Sequence, residues 1–425
     1  MLTTGLLIVP LASASTFGRP AEIPLARTPV AVAALDATQD GIEDVVVANA
    51  VAPVLTVLPG KQDGSFERPL DMATGPAPRS LAVADFDSDG GDDLAVAAGN
   101  TITIYTVVDG KFVRRTSVTV PSVSVMTAAE LDLDGNTDLV AANSTSSIVT
   151  VFAGTEEGTF LPGQEYATGS PPAALLTADF NGDALPDIAA AGNGVSILFG
   201  NDDGTLNPPV SIADTPGVLA AASEDFDSDG DIDLALTHRP NVVNVLLNSG
   251  DGQFSAGSSY RVGGKPVAIG AAYLDDDGEF DLVTANQGTN DLSVLTGLGD
   301  GRFQPATRIR VGKGPVGLAI EDLDSLGSAD LVTANRLSKS VTVLLNGADA
   351  PQPVVCLVPA VARRTLTVAR RLVAAANCKV AGVRRKYSAR RKKGRVIAVS
   401  PLPGARRPVD SGVTLLVSRG PKPKR

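Results

Sequence analysis

An aspartate recurs along this 425-residue chain at intervals of 45 to 49 residues. Asp44, Asp93, Asp138, Asp187, Asp233, Asp281 and Asp330 are separated by 49, 45, 49, 46, 48 and 49 residues, and each closes a nine-residue acidic segment. The fullest copies read DFDSDGGDD (85–93) and DFDSDGDID (225–233). The others read DATQDGIED (36–44), ELDLDGNTD (130–138), DFNGDALPD (179–187), YLDDDGEFD (273–281) and DLDSLGSAD (322–330). A spacing held this closely over seven copies implies one supersecondary unit repeated.

Each unit has the same flanks. An apolar run precedes the acidic segment, as in SLAVAD (80–85) or PVAIGAAY (266–273), and a second follows, as in DLAVAAG (93–99) or DLVTANQ (281–287). A third run reads VLTVLPG (54–60), IVTVFAG (148–154) or VTVLLNG (341–347). Then a turn and a fourth strand begin at D-G-x-F, as in DGSFERPL, DGQFSAGS and DGRFQPAT. β-Branched residues dominate the runs, with Gly, Asn and Asp between them, so each unit predicts four short strands. Seven such units predict a mainly β chain with a seven-bladed β-propeller over residues 15–349. The seventh unit ends at VTVLLNGADA without a fourth strand, while an orphan, STFGRPAEIPLA (15–26), precedes the first. Phe17 lies 19 residues before Asp36, as Phe66 does before Asp85 and Phe160 before Asp179. The N-terminal strand is therefore expected to complete blade seven and remove the raw edge of an open ring.

The spacing D-x-D-x-D-G-x-x-D places side-chain oxygens at positions 1, 3, 5 and 9, with a backbone carbonyl available at 7. Ca²⁺ takes six to eight oxygens in such loops, whereas Mg²⁺ prefers few carboxylates and keeps its waters. Carboxylates this crowded repel one another unless a cation sits among them. Blades two and five carry the full set, Asp85, Asp87, Asp89, Asp93 and Asp225, Asp227, Asp229, Asp233. Blade three offers Glu130, Asp132, Asp134 and Asp138. Blade four offers Asp179, Asn181, Asp183 and Asp187, with Ala184 where the others have Gly. Blade one has Asp36, Asp40 and Asp44 with Thr38 at position 3. Blade six has Asp275, Asp277 and Asp281 with Tyr273 at position 1. Blade seven has Asp322, Asp324 and Asp330 with Leu326 at position 5. The alternative for the incomplete loops is a turn held by Asx hydrogen bonds alone.

Loop, strand order and period together resemble the FG-GAP/VCBS repeat family of seven-bladed propellers, which includes the integrin α-subunit head. The resemblance implies structural calcium in the hairpin loops of one face. It does not fix a function, since relatives include adhesion receptors, lectins and non-catalytic domains attached to enzymes.

The text changes at Pro353. From there to the end 19 Lys and Arg face one acidic residue, Asp410, so an acidic body of charge −29 carries a basic end of charge +18. A helix is expected from near Thr365, apolar at Leu366, Val368, Leu372, Val373 and Ala376, followed by two short strands around a Pro/Gly turn. Val358-Pro359, Gly394-Arg395-Val396-Ile397, Ser400-Pro401, Pro403-Gly404 and Gly412-Val413-Thr414-Leu415 resemble a single PASTA domain. That resemblance implies one helix against three strands (a small α+β domain within 350–425, with a basic tail) and a cell-wall setting with peptidoglycan as a partner. VRRKYSARRKKGR (383–395) makes this copy cationic, which suits anionic wall polymers. The opposite charges favour opposite surroundings for the two halves, with the propeller presenting a surface to a protein or glycan ligand. The alternative is self-contact, the basic end resting on the acidic propeller. Nucleic acid is not expected, because only Tyr387 interleaves the basic run.

The start, MLTTGLLIVPLASAS, has a short apolar run before Ala12-Ser13-Ala14, a cleavage pattern that reads 1–14 as a signal peptide lacking its positive region. No other stretch is apolar enough to span a membrane. The two cysteines, Cys356 and Cys378, are expected to pair after export. The expected role is a secreted or cell-envelope, calcium-binding, non-catalytic scaffold. A carbohydrate-binding propeller is the alternative, opposed by an aromatic content of 4% with no Trp; the non-catalytic part of an envelope enzyme system is a third. The chain has one histidine, His238, read as a polar turn residue, and neither a G-x-S-x-G elbow nor a phosphate-cradling loop. No catalytic residues are expected.

Overall fold

A computed structural model describes residues 17–74, 77–143, 145–347, 355–376, 378–388, 392–403, 406–408 and 412–422. The cleavage site near Ala14 lies outside them, as do Arg390 and Arg391.

Seven four-stranded antiparallel sheets follow one another along the chain. Blade one consists of Pro29–Leu35, Asp44–Asn49, Val54–Leu58 and Leu70–Ala73. The acidic segment joins its first two strands, and the same order holds in every later blade. The second strand is buried throughout, as in Asp93–Ala98 and Asp281–Asn286. Both its faces pack on neighbouring blades, which explains its continuous apolar text where a surface strand would alternate.

Blade seven closes as the sequence predicts. Ala21–Pro24 pairs antiparallel with Ser340–Leu344, in the register Ala21 to Val343 and Pro24 to Ser340. Phe17 bridges Asn346, and the Gly18 amide donates to the Leu345 carbonyl at 2.8 Å.

The repeat also builds the contacts between blades. Phe86, Phe180 and Phe226, at position 2 of their loops, are buried. Each meets the phenylalanine of the D-G-x-F turn (E-G-T-F in blade three) of the next blade edge to face: Phe86 with Phe160, Phe180 with Phe254 and Phe226 with Phe303, at centroid separations of 6.1, 6.0 and 5.6 Å. The fourth strand starts later than the sequence suggests in three blades. Phe66, Phe160 and Phe303 form isolated bridges to Gly60, Gly154 and Gly297, and the strands proper start at Leu70, Gln164 and Thr307. Only in blade five does the strand begin at the phenylalanine, Phe254.

The C-terminal domain has the expected helix, Leu366–Ala375, capped by Thr365, whose hydroxyl accepts from the Val368 amide at 3.3 Å. It covers a sheet in which Gly412–Ser418 lies between Lys379–Lys386, parallel, and Val396–Ser400, antiparallel. Val361, Val373, Val396, Leu415 and Val417 form its core. A separate two-stranded pairing of Val355–Leu357 with Arg406–Pro408 adds to the expected three strands. No helix among the described residues is long and apolar enough to cross a membrane.

Candidate cation loops and the domain that covers them

Every acidic segment folds into the same backbone. Position 6 is left-handed in all seven loops, with φ of 92° at Gly41, 86° at Gly90, 90° at Gly135, 99° at Gly230, 86° at Gly278 and 91° at Gly327. Ala184 takes the same conformation at φ 67°. Its departure from glycine therefore leaves the loop shape of blade four intact, at the steric cost an L-residue meets there. Position 4 is left-handed too, at Gln39, Ser88, Leu133, Gly182, Ser228 and Ser325.

The closing aspartates do more than the spacing suggests. All seven are buried, and both oxygens of each accept backbone amides. One oxygen binds the start of its own loop, as Asp93 Oδ2 binds the Phe86 amide at 3.1 Å and Asp233 Oδ2 binds that of Phe226 at 3.0 Å. Leu131, Phe180, Leu274 and Leu323 donate equivalently to Asp138, Asp187, Asp281 and Asp330, and Thr38 donates to Asp44. The other oxygen holds the chain beyond the third strand, or within it at Val107 in blade two and Asn248 in blade five: Gly60, Val107, Gly154, Gly200, Asn248, Gly297 and Asn346 donate to it in blade order. Position 9 is thus a strut that ties the loop to its blade. Burial drives these carboxyls upward, Asp93 to about 8 and Asp233 and Asp330 to about 7. Asp44, Asp138, Asp187 and Asp281 rise to about 6 for the same reason.

Positions 1, 3 and 5 accept backbone amides in Asx-type turns, through both oxygens at Asp36, Asp179 and Asp225. Asp85 accepts from Gly90, Asp87 from Asp89 and Asp89 from Gly91, at 2.8, 3.2 and 2.6 Å. Equivalent bonds are made by Asp36, Asp40, Glu130, Asp132, Asp134, Asp179, Asn181, Asp183, Asp225, Asp229, Asp275, Asp277, Asp322 and Asp324. The turns leave some oxygens without partners. Asp85 Oδ1, Asp227 Oδ1, Asp275 Oδ2 and Asp322 Oδ1 are buried and accept no hydrogen bond, and a buried acceptor left so is costly. In three loops carboxylate oxygens converge within 4.8 Å of one another: Asp85, Asp87 and Asp93; Asp225, Asp227 and Asp229; Asp322, Asp324 and Asp330. An all-oxygen cluster with unsatisfied acceptors suits a hard divalent cation. Blade seven joins the two complete loops despite Leu326, because its oxygens converge from positions 1, 3 and 9, the same three that converge in blade two. In blade four Asn181 instead donates to Asp183 at 3.0 Å.

Three further carboxylates gather where blades one, two and seven meet, and the loop spacing gives no role to any of them. Glu43 and Asp92 occupy position 8, where the other loops have Thr137, Pro186, Ile232, Phe280 and Ala329, and Glu321 directly precedes Asp322. They line a cavity of about 510 Å³ together with Arg364, Leu372 and Pro403 of the C-terminal domain. Burial, then Glu321 and Asp92, pushes Glu43 up to about 8; burial, then Asp92, pushes Glu321 to about 7.

The basic domain therefore sits on the acidic loop face. Arg364 pairs with Asp92 at 3.5 Å and Lys392 with Glu156 at 3.4 Å. The expectation that the two charged halves occupy separate surroundings gives way to the self-contact alternative, because opposite charges a short linker apart find each other first. Cys378 is disulfide-bonded, and the chain's one other cysteine is Cys356, whose side chain is not among those described. His238 ends a strand instead of standing in a turn; its Nδ1 lies 3.1 Å from the Pro216 carbonyl, and its buried Nε2 has no partner.

Seven four-stranded blades, each with an acidic hairpin loop between its first two strands, define a repeat-built β-propeller joined to a small α+β module. The chain belongs to the FG-GAP-like repeat family, whose model matches residues 36–96, 130–190, 179–236 and 225–284, and it carries a PASTA domain at 357–419. No curated protein matches the chain by sequence. Among solved structures, it is similar to BBS1N in complex with ARL6DN, at 13% identity and TM-score 0.59, over 80% of this chain and 99% of that one. It is similar to the Kuenenia stuttgartiensis hydrazine synthase, at 12% identity and TM-score 0.54, over 81% and 100%. An Agrocybe aegerita lectin specific for non-reducing terminal N-acetylglucosamine aligns at 17% identity and TM-score 0.51, over 68% and 80%. At these identities the likeness is one of fold.

Proposed function

We propose that the protein is a non-catalytic, calcium-binding scaffold of the bacterial cell envelope or its exterior, whose PASTA domain contacts peptidoglycan or other anionic wall polymers. The observation that carries the calcium part is the set of buried, unpartnered carboxylate oxygens in the loops of blades two, five, six and seven. The wall part is supported by the PASTA match and by Arg384, Arg385 and Lys386, which lie exposed on an edge strand of that domain. The propeller then offers its remaining surface to a protein or glycan. The lectin among the fold neighbours favours the glycan, while a chain without Trp has few flat faces on which a sugar can stack.

The test is sedimentation of the full chain with purified cell walls across a salt series. Electrostatic contact weakens steeply as the screening length shortens to about 8 Å at physiological strength. Replacing Arg384, Arg385 and Lys386 by Glu abolishes co-sedimentation at low salt. A chain that stays in the supernatant at every salt concentration, with and without calcium, overturns the wall assignment.

A further inference from the structure

The turn Arg363–Arg364 is the part of the PASTA domain that meets the propeller, and it is fixed from behind. The Arg363 amide donates to the Val396 carbonyl at 2.8 Å, and the Val396 amide returns a bond to the Arg364 carbonyl at 2.9 Å. Arg363 is held at φ 69°, a conformation unfavourable for a bulky residue. In front, its carbonyl stands over the blade-two loop so closely that a Cβ on Gly90 would lie 2.4 Å from it. Arg364 reaches Asp92, and its guanidinium would meet a Cβ on Gly91 at 3.2 Å. Beside this contact a cavity of about 110 Å³ sets Asp85, Asp134 and Glu156 against Arg363, Lys392 and Arg395.

Blade five supplies the internal comparison. Its loop has the same six residues at positions 1 to 6, yet a Cβ on Gly230 would meet nothing within 4 Å. Two near-identical acidic loops therefore differ in their surroundings: one faces three cationic side chains of a neighbouring domain, and the other faces solvent.

We propose that the loop face around blade two is the docking surface for the chain's own PASTA domain, and that a divalent cation entering the blade-two loop displaces it. The inference rests on reading the loops as calcium sites. The carboxylates that would ligate the cation, Asp85, Asp87 and Asp93, belong to the loop that Arg363, Arg364 and Arg395 face, and they supply its negative charge. A bound divalent ion cancels two of those three charges and so weakens the attraction that holds the arginines. Release frees Arg364, Lys392 and Arg395 for anionic polymers and adds them to the already exposed Arg384, Arg385 and Lys386, so the propeller engages in the absence of calcium a cationic face that it gives up in its presence. Coupling of this kind is reciprocal, and weakening the docking must strengthen calcium binding at blade two by the same factor.

The experiment uses the full chain, with calcium binding followed by calorimetry and docking followed by carbodiimide coupling of Lys392 to Glu156, read by mass spectrometry. Small-angle scattering reports separation of the domains without chemistry. The cross-link forms in chelator and falls about tenfold in saturating calcium, towards the lower end of the range for coupled sites. Arg364→Glu and Asp92→Asn each lower the cross-link in chelator and tighten one calcium site; Asp229→Ala, in blade five, removes a site and leaves the cross-link response unchanged. Calcium heat with an undiminished or rising cross-link overturns the displacement and leaves the calcium reading standing. Absence of calcium heat defeats the calcium reading, and the displacement with it. Absence of the cross-link in chelator shows that the domain does not dock.

Discussion

Gly90 and Gly230 hold the same loop position in the same left-handed conformation, but the carbonyl of Arg363 stands over the first and open solvent over the second. Substitution to alanine therefore separates two costs that usually travel together. Each variant takes on the strain of an L-residue in the left-handed region, about 1–2 kcal/mol, and Ala184 shows that the loop tolerates it. Only Gly90→Ala also drives a methyl into the Arg363 backbone. Equal losses in thermal stability are expected for the two propellers, with release of the PASTA domain in Gly90→Ala alone, measured by scattering. Release in both would mean that docking depends on loop conformation and not on this contact.

Chelation is expected to lower the melting temperature of the full chain. A cation present at 100 times its dissociation constant stabilises the folded state by about 2.7 kcal/mol per independent site. Asp87→Ala and Asp229→Ala should each remove part of the calcium-dependent shift, since each belongs to a cluster of converging carboxylates suited to a cation. Superimposable melting curves with and without chelator would eliminate the metal reading.

The pH dependence has a definite sign. Asp93, Asp233 and Asp330 titrate near 8, 7 and 7 in the fold, chiefly because burial disfavours their ionised forms, against about 3.9 in an unfolded chain. A raised carboxyl pKa means that the folded state holds protons the unfolded state has lost. Calcium-free stability is therefore full below about pH 4 for these groups and declines as pH rises towards 8. Protons and a cation compete for the same oxygens, so calcium affinity should fall as pH drops from 8 to 6. Calorimetric unfolding at pH 5 and pH 8 in chelator checks the first statement. Greater stability at pH 8 would show that these aspartates are ionised in the fold without a cation.

The ring and its loops were legible because a repeated unit writes its spacing into the chain. Closure by the N-terminal strand could be read from Phe17 alone, by its distance from Asp36. The strut role of the closing aspartates was not legible. The amides they accept, such as Gly60 for Asp44, lie across a hairpin whose register the residue types do not encode. The grouping of Glu43, Asp92 and Glu321 was also hidden, because it forms only where the first, second and last blades meet. Docking was open in the charge split, but its geometry depends on the Arg363 turn, and nothing in ARRT marks a left-handed residue.

Removal of residues 17–26 tests the ring most directly. Ala21–Pro24 is the outer strand of blade seven, and without it Ser340–Leu344 presents an unpaired edge. That strand is buried along its whole length and reads SVTVL, a β-branched, uncharged segment. Exposed edges of this composition pair with other chains. Ile23 also packs against Val341 and Val343, so its loss opens the core between blades seven and one. The deleted protein is expected to aggregate or dimerise through the blade-seven edge, with the effect visible by size-exclusion chromatography at micromolar concentration. A synthetic peptide of residues 15–26, supplied during refolding, should restore the monomer by occupying the vacant edge. A deletion variant that remains monomeric and melts at the wild-type temperature without the peptide would show that blade seven is stable with three strands.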